Sequence, residues 1–264
     1  MRPLRAFVPA PAFRVTAVGG YLRPARASSR PVDLRLDSNE SPALPSDALD
    51  GLRLPPAAAT HYPDAGSLER ELAERLGIDA ARVVVTAGAD DALNRIAMAL
   101  IEPGRNAVIT APTFEMIPRY VRHAGGEVRE VAWMSGAFPV DEMIAASDAD
   151  TRAAFVVSPN NPTGSVATRV DVERLRAGLP ATAALVIDAA YEEFADEALT
   201  EFGLTLPGTV VTRTFSKVMG LAGLRVGYAA GDERIIAWLR QVGQPYAVSG
   251  VSLELVGRWL DPLR

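Results

Sequence analysis

From residue 83 to residue 211 the chain alternates short, wholly apolar runs with stretches of helical spacing, and this alternation restricts the possible folds most. The runs are Val83-Val84-Val85, Ala107-Val108-Ile109, Val128 to Val131, Phe155-Val156-Val157, Leu185-Val186-Ile187 and Val210-Val211. Between several of them lie helical stretches, Asp90–Leu100, Phe114–His123 and Val170–Arg176. A run that is apolar at every position suits a strand buried on both faces. Strand and helix in alternation predict an α/β chain, a mostly parallel central sheet with helices on both faces. Upstream, a helix is expected from Ser67 to Leu76, with Ser67 as its cap, Leu68, Leu72 and Leu76 as one stripe, and Gly77 as its stop.

In such sheets the ligand site lies beyond the carboxyl ends of the strands. Those ends read Thr86-Ala87-Gly88-Ala89-Asp90, Pro112-Thr113-Phe114, Ser158-Pro159-Asn160-Asn161-Pro162-Thr163-Gly164, Asp188-Ala189-Ala190-Tyr191 and Thr214-Phe215-Ser216-Lys217. Gly88-Ala89-Asp90 opens a helix whose N–H groups suit an anion, although small residues before a helix are ordinary. Asp188 ends a buried strand, and a carboxylate there calls for a cationic partner. A helix cap or a structural ion pair would account for it equally well.

The basic residues sharpen this. Of 27 basic residues, one is lysine, Lys217, and the rest are arginine. Lysine can lose its proton and attack a carbonyl, whereas arginine effectively cannot. A lone lysine could also be a surface survivor, so its neighbours decide. A lysine able to form a Schiff base, a carboxylate able to face a ring nitrogen and a phosphate cradle together describe a pyridoxal phosphate site.

Other chemistries are disfavoured. There is no cysteine for a disulfide, a thiolate nucleophile or a zinc thiolate site, and the two histidines, His61 and His123, are far apart, so no metal site is expected. A net charge of −5 argues against nucleic acid. No run of about 18 uninterrupted apolar residues suits a membrane span. Residues 1–32 hold six arginines and no acid, and read as an extended arm. At 48% apolar and 264 residues, the chain has ample material for a large core.

Ser158-Pro159-Asn160-Asn161-Pro162-Thr163-Gly164 and Thr214-Phe215-Ser216-Lys217, followed by Gly220-Leu221-Ala222-Gly223-Leu224-Arg225-Val226-Gly227-Tyr228, resemble the class I/II aminotransferases of fold type I. Asp37-Ser38-Asn39-Glu40-Ser41-Pro42 and His61-Tyr62-Pro63-Asp64 are most similar to the histidinol-phosphate aminotransferases among them. These motifs run in family order from about residue 36 to 228.

The resemblance implies roles. Lys217 would hold pyridoxal 5'-phosphate covalently and then move the proton between Cα and C4′. Asp188 would pair with the ring nitrogen. Asn161 and Tyr191 would bond the ring oxygen, and Phe114 would stack on the ring. Gly88, Ala89 and Asp90, with Ser216 and Arg225, would hold the phosphate. Tyr62 would reach that phosphate from a second subunit, implying a homodimer with shared sites. Tyr21 and Asn39 lie near the expected substrate. Asn161-Pro162 is expected to be a cis peptide.

The implied organisation is an N-terminal arm (1–32), a cofactor-binding domain (33–246) and the start of an interdomain helix (247–264), with Val251, Leu255 and Trp259 at helical spacing. The implied activity is cytoplasmic transfer of an amino group between a histidinol phosphate-like amine and a 2-oxo acid. Two departures stand out. The family's acidic residue after the ring aspartate is Ala189 here, and Arg264 falls about where the family's smaller domain, with its carboxylate-gripping arginine, begins. The chain is therefore expected to take up cofactor more readily than it turns over substrate. A decarboxylase resembling threonine-phosphate decarboxylase and a non-catalytic cofactor-binding fragment are the alternatives.

Overall fold

The computed structural model describes residues 38–41, 44, 47–48 and 53–260. Tyr21 and the whole N-terminal arm (1–32) lie outside the described residues. In chain order the helices are α1 (Ala57–Thr60), α2 (Gly66–Leu76), α3 (Ala89–Leu100), α4 (Met116–His123), α5 (Val140–Ala145), α6 (Arg169–Gly178), α7 (Thr200–Thr205), α8 (Glu233–Val242) and α9 (Gly250–Leu260). The strands are β1 (Val83–Thr86), β2 (Asn106–Ala111), β3 (Glu127–Ala132), β4 (Thr151–Val157), β5 (Ala184–Asp188), β6 (Thr209–Thr214) and β7 (Gly227–Gly231).

They form one seven-stranded sheet in the order β1-β7-β6-β5-β4-β2-β3. The β2–β3, β2–β4, β4–β5 and β5–β6 pairs are parallel, and β7 runs antiparallel to both of its neighbours. Successive strand residues feed two apolar layers. On one face Val84, Ile109, Val186 and Val210 pack with Leu93 and Ile96 of α3, Ile117 of α4 and Ile236 of α8. On the other, Val85, Val108, Ile187 and Val211 pack with Leu72 of α2, Leu175 of α6 and Val256 of α9. Each fully buried aliphatic side chain contributes about 1.5–3 kcal/mol, so the central strands hold the sheet as a rigid platform.

Two expectations are corrected. The run Val128 to Val131 is not a doubly buried strand. It lies in the edge strand β3, where Val131 is buried while Glu127 and Glu130 face water, and charged edges discourage further pairing. The first helical turn of α2 is not capped by Ser67: the Gly66 N–H donates to Asp64 Oδ1 at 2.9 Å, and Ser67 Oγ accepts from Arg70. Gly77 does end that helix, in the left-handed conformation at φ 64°. The helix expected at the end of the chain is present as α9, where Ser252 and Val256 are buried, Val251 and Leu255 half-buried and Trp259 exposed.

Candidate active site

The strand register brings the expected residues to one edge of the sheet. Thr86 of β1 and Thr214 of β6 both pair with Gly227, and Asp188 of β5 pairs with Val157 on one side and Thr212 on the other. The segments that follow these strands therefore leave the sheet side by side.

Gly88 turns the chain from β1 into α3 with φ 88°. That left-handed φ favours glycine, and a Cβ there would also lie 2.9 Å from a terminal guanidinium nitrogen of Arg225 and push that side chain aside. Arg225 itself sits at φ 54° and donates to Ser216 Oγ at 3.3 Å. Gly227 is packed equally closely, since a Cβ on it would stand 2.7 Å from the Ala89 nitrogen. The first N–H groups of a helix have no intrahelical acceptor. Those of Ala89 and Asp90 thus join Ser216 and the Arg225 guanidinium in a small cationic cradle, whose donor set suits a phosphate.

Lys217 is half-buried. Its Nζ donates to the Ser38 and Asn39 carbonyls at 3.2 and 3.3 Å, and lies 5.2 Å from the centre of the Tyr191 ring. Ser41 Oγ donates to the Lys217 carbonyl, and Asn39 Nδ2 donates to Tyr191 Oη at 3.1 Å. The segment Ser38–Ser41 thus crosses Lys217 and Tyr191, with Asn39 at φ 50°. Between Tyr191 and the Asn161-Pro162 turn lies a cleft of about 210 Å³ that Asn39, Asn161 and Phe194 help to line.

Asp188 is buried at 5% exposure. Among the described residues no cation bonds it. Instead Oδ1 accepts from Thr212 Oγ1 at 3.1 Å and from the Ala190 N–H at 3.2 Å. Oδ2 has no hydrogen-bond partner among the described residues. Burial pushes the carboxyl up to about 6, against the lowering pull of those two donors and of nearby Arg213, while Asp90 adds a smaller push upward. A buried carboxylate with one oxygen free is poised to receive a cationic N–H. Ala189, the departure from the family pattern, is fully buried and gives its carbonyl to Arg213 at 2.8 Å.

The Asn161-Pro162 peptide is cis, as are Ser158-Pro159 and Ala111-Pro112. Phe114 follows β2, is half-buried and packs against the α3 and α4 layer. Tyr62 is 81% exposed and stacks on Tyr246, with ring centres 4.5 Å apart.

Some residues that build this edge were not singled out from the sequence. Asn160, 3% exposed, accepts from Thr113 Oγ1 and donates to the Pro112 carbonyl and Thr163 Oγ1, tying the loop of Phe114 to that of Asn161. Thr212 and Tyr120 also act beneath the site; Asn160 carried a signal by lying inside a motif and Thr212 by standing two residues before one, whereas Tyr120 carried none.

Residues 46–262 match the family described as aminotransferase class I and II. The chain belongs to that family. It is 39% identical over 235 residues to histidinol-phosphate aminotransferase 2 of Pseudomonas aeruginosa, a match that covers 86% of this chain and 64% of that protein. The chain thus spans a little under two thirds of that relative's length. Its fold is like that of histidinol-phosphate aminotransferase from Sinorhizobium meliloti, solved in complex with pyridoxal-5'-phosphate: TM-score 0.72, 24% identity, covering 86% of this chain and 63% of that one. It is also like L-threonine-O-3-phosphate decarboxylase from Porphyromonas gingivalis: TM-score 0.66, 27% identity, covering 76% and 60%.

Proposed function

We propose that this chain carries the cofactor-binding part of a pyridoxal-phosphate-dependent aminotransferase that moves an amino group between a histidinol phosphate-like amine and a 2-oxo acid. One observation carries the reading. The only lysine, the free oxygen of buried Asp188 and the Gly88–Arg225 cradle stand along one edge of one sheet. Named relatives at 34–39% identity support the substrate class.

Bound pyridoxal phosphate supplies an electron sink that acidifies the substrate Cα–H. The residues present fit it: Asp188 Oδ2 offers a partner to a ring N–H⁺, and the cradle offers donors to a phosphate. Lys217 would hold the group and afterwards carry the proton from Cα, for which its amine must be released by the Ser38 and Asn39 carbonyls. Tyr191 Oη and Asn161 would face the ring oxygen, Phe114 would flank the ring, and Asn39 would sit toward the substrate. Exposed Tyr62 is suited to reach the phosphate of a second copy, and we infer a homodimer on that basis. The domain division at 246/247 is supported by the break between α8 and α9. Among the described residues no helix is long and apolar enough to cross a membrane, which is compatible with the cytoplasmic biosynthetic role we assign.

The likeness to a threonine-phosphate decarboxylase favours a second reading, in which the same Lys217 and Asp188 serve loss of carbon dioxide. The test is direct. Purified chain given pyridoxal phosphate should develop a yellow absorbance, and borohydride should fix the label on Lys217. Amino transfer dependent on 2-oxoglutarate supports the first reading. Carbon dioxide release from a phospho-amino acid replaces it with the second. Absence of a chromophore, or a label elsewhere, refutes both.

A further inference from the structure

We propose that Tyr120 is a positioning residue for the phosphate end of the site: its hydroxyl holds the Asp90 carboxylate toward α4, so that Asp90 lends the cradle its N–H without its charge. The inference rests on the pyridoxal phosphate reading above.

The first turn of α3 carries two acids, Asp90 and Asp91. A carboxylate is attracted to a helix N-terminus, where it competes for the very N–H groups an incoming anion needs. Each of these two has a partner outside the cradle. Asp91 Oδ2 accepts from the Ala87 N–H at 2.9 Å and from Arg95 Nη2 at 2.7 Å, while its Oδ1 takes Arg95 Nε at 3.1 Å. That pairing neutralises Asp91 against a guanidinium that is 5% exposed.

Among the described residues Asp90 has no such ion pair. Its carboxylate Oδ1 accepts from Tyr120 Oη at 2.7 Å, a bond reaching from α4 across 30 residues of chain. Burial, and then the Asp90 carboxylate itself, push the Tyr120 hydroxyl well above the ordinary phenol range, so it stays a donor at any working pH. Without that hydroxyl the Asp90 carboxylate is free to turn back over the start of α3. A like charge there opposes a phosphate dianion.

The experiment compares pyridoxal phosphate with pyridoxal, which lacks the phosphate, by direct binding to the purified chain. Tyr120→Phe should weaken pyridoxal phosphate binding by about tenfold, the order of one charge contact near a protein surface, and leave pyridoxal binding within twofold. Asp90→Asn placed in the Tyr120→Phe background should restore pyridoxal phosphate binding, because no charge is left to turn. Equal losses for the two compounds, or a double variant as weak as Tyr120→Phe, would overturn the inference and leave Tyr120 a packing residue. An unaltered chain that takes up neither compound would instead bring down the functional reading beneath it.

Discussion

The two ends of the sheet hold comparable polar clusters with opposite chemistry. At the amino-end edge, Asn106 Nδ2 donates to Asp148 Oδ1 at 3.0 Å, Thr151 Oγ1 donates to Asn106 Oδ1 at 2.8 Å, and Arg129 pairs with Asp148 at 2.7 Å. Arg105 closes the group on Asp150. The cluster is saturated by its own members, and bonds to Asn106 and Arg129 hold the Asp148 carboxyl well below the usual range. At the carboxyl-end edge, Asp188 keeps one oxygen without a hydrogen-bond partner among the described residues, and burial raises its carboxyl. A saturated polar cluster stabilises a fold; an unsaturated one, held open by a rigid platform, is a place for a ligand.

The comparison breaks most sharply at Lys217. Lys217→Arg keeps the positive charge but has no usable nucleophile, so the absorbance and borohydride labelling should vanish completely. Persistence of a covalent label would remove the carboxyl-end edge as the site.

Asp188→Asn should lower turnover by at least about a hundredfold, the scale of losing one electrostatic partner of the reacting group. The same change should stabilise the ligand-free chain at pH 7. Its carboxyl titrates near 6 when folded, above its unfolded value, so the charged form is disfavoured by folding. The resulting stability is present below about pH 4 and is lost as pH rises through about 6, a difference on the order of 2–3 kcal/mol. Asp148 has the opposite sign: its lowered carboxyl contributes stability that is present above its unfolded value and lost as pH falls below about 4. In urea melts across pH 3–8 the stability of the unaltered chain minus that of Asp188→Asn should therefore fall as pH rises, while the same difference for Asp148→Asn should rise, and parallel trends would dissolve the contrast.

Asn160→Ala should cost about 1–3 kcal/mol by stranding Thr113 and the Pro112 carbonyl, and should weaken cofactor binding as well, because it frees the Phe114 and Asn161 loops from each other. Asn106→Ala removes the acceptor of the buried Thr151 hydroxyl and a donor to exposed Asp148, and its cost should fall in the same range of about 1–3 kcal/mol. Cofactor binding should stay within twofold. A chemical melt paired with a binding titration separates these outcomes, and loss of cofactor binding in the Asn106 variant would show that the amino-end cluster also shapes the site.

Much of this was legible in the chain. Five apolar runs became strands β1, β2, β4, β5 and β6, because doubly buried strands need apolar residues on both faces. β7 escaped notice. Its sequence, Gly-Tyr-Ala-Ala-Gly, has little β propensity, and its small residues answer to crowding: a Cβ on Gly227 would lie 2.6 Å from the Arg213 carbonyl oxygen, and one on Gly231 would lie 2.2 Å from the Thr209 carbonyl oxygen. The cationic partner expected for Asp188 was a local inference about burial, whereas the donation from Thr212 on the neighbouring strand is a pairing that only the register decides.

By itself, then, the sequence determined the layered α/β plan, the lone lysine and the motifs at the strand ends, because periodicity and residue chemistry are local properties. Tertiary structure decided which oxygen of Asp188 stays free, that Arg225 lies over Gly88, that Tyr120 meets Asp90 and that Asn160 joins two loops. Each of those depends on side chains from distant segments meeting at distances of about 3 Å, and no local pattern encodes such meetings.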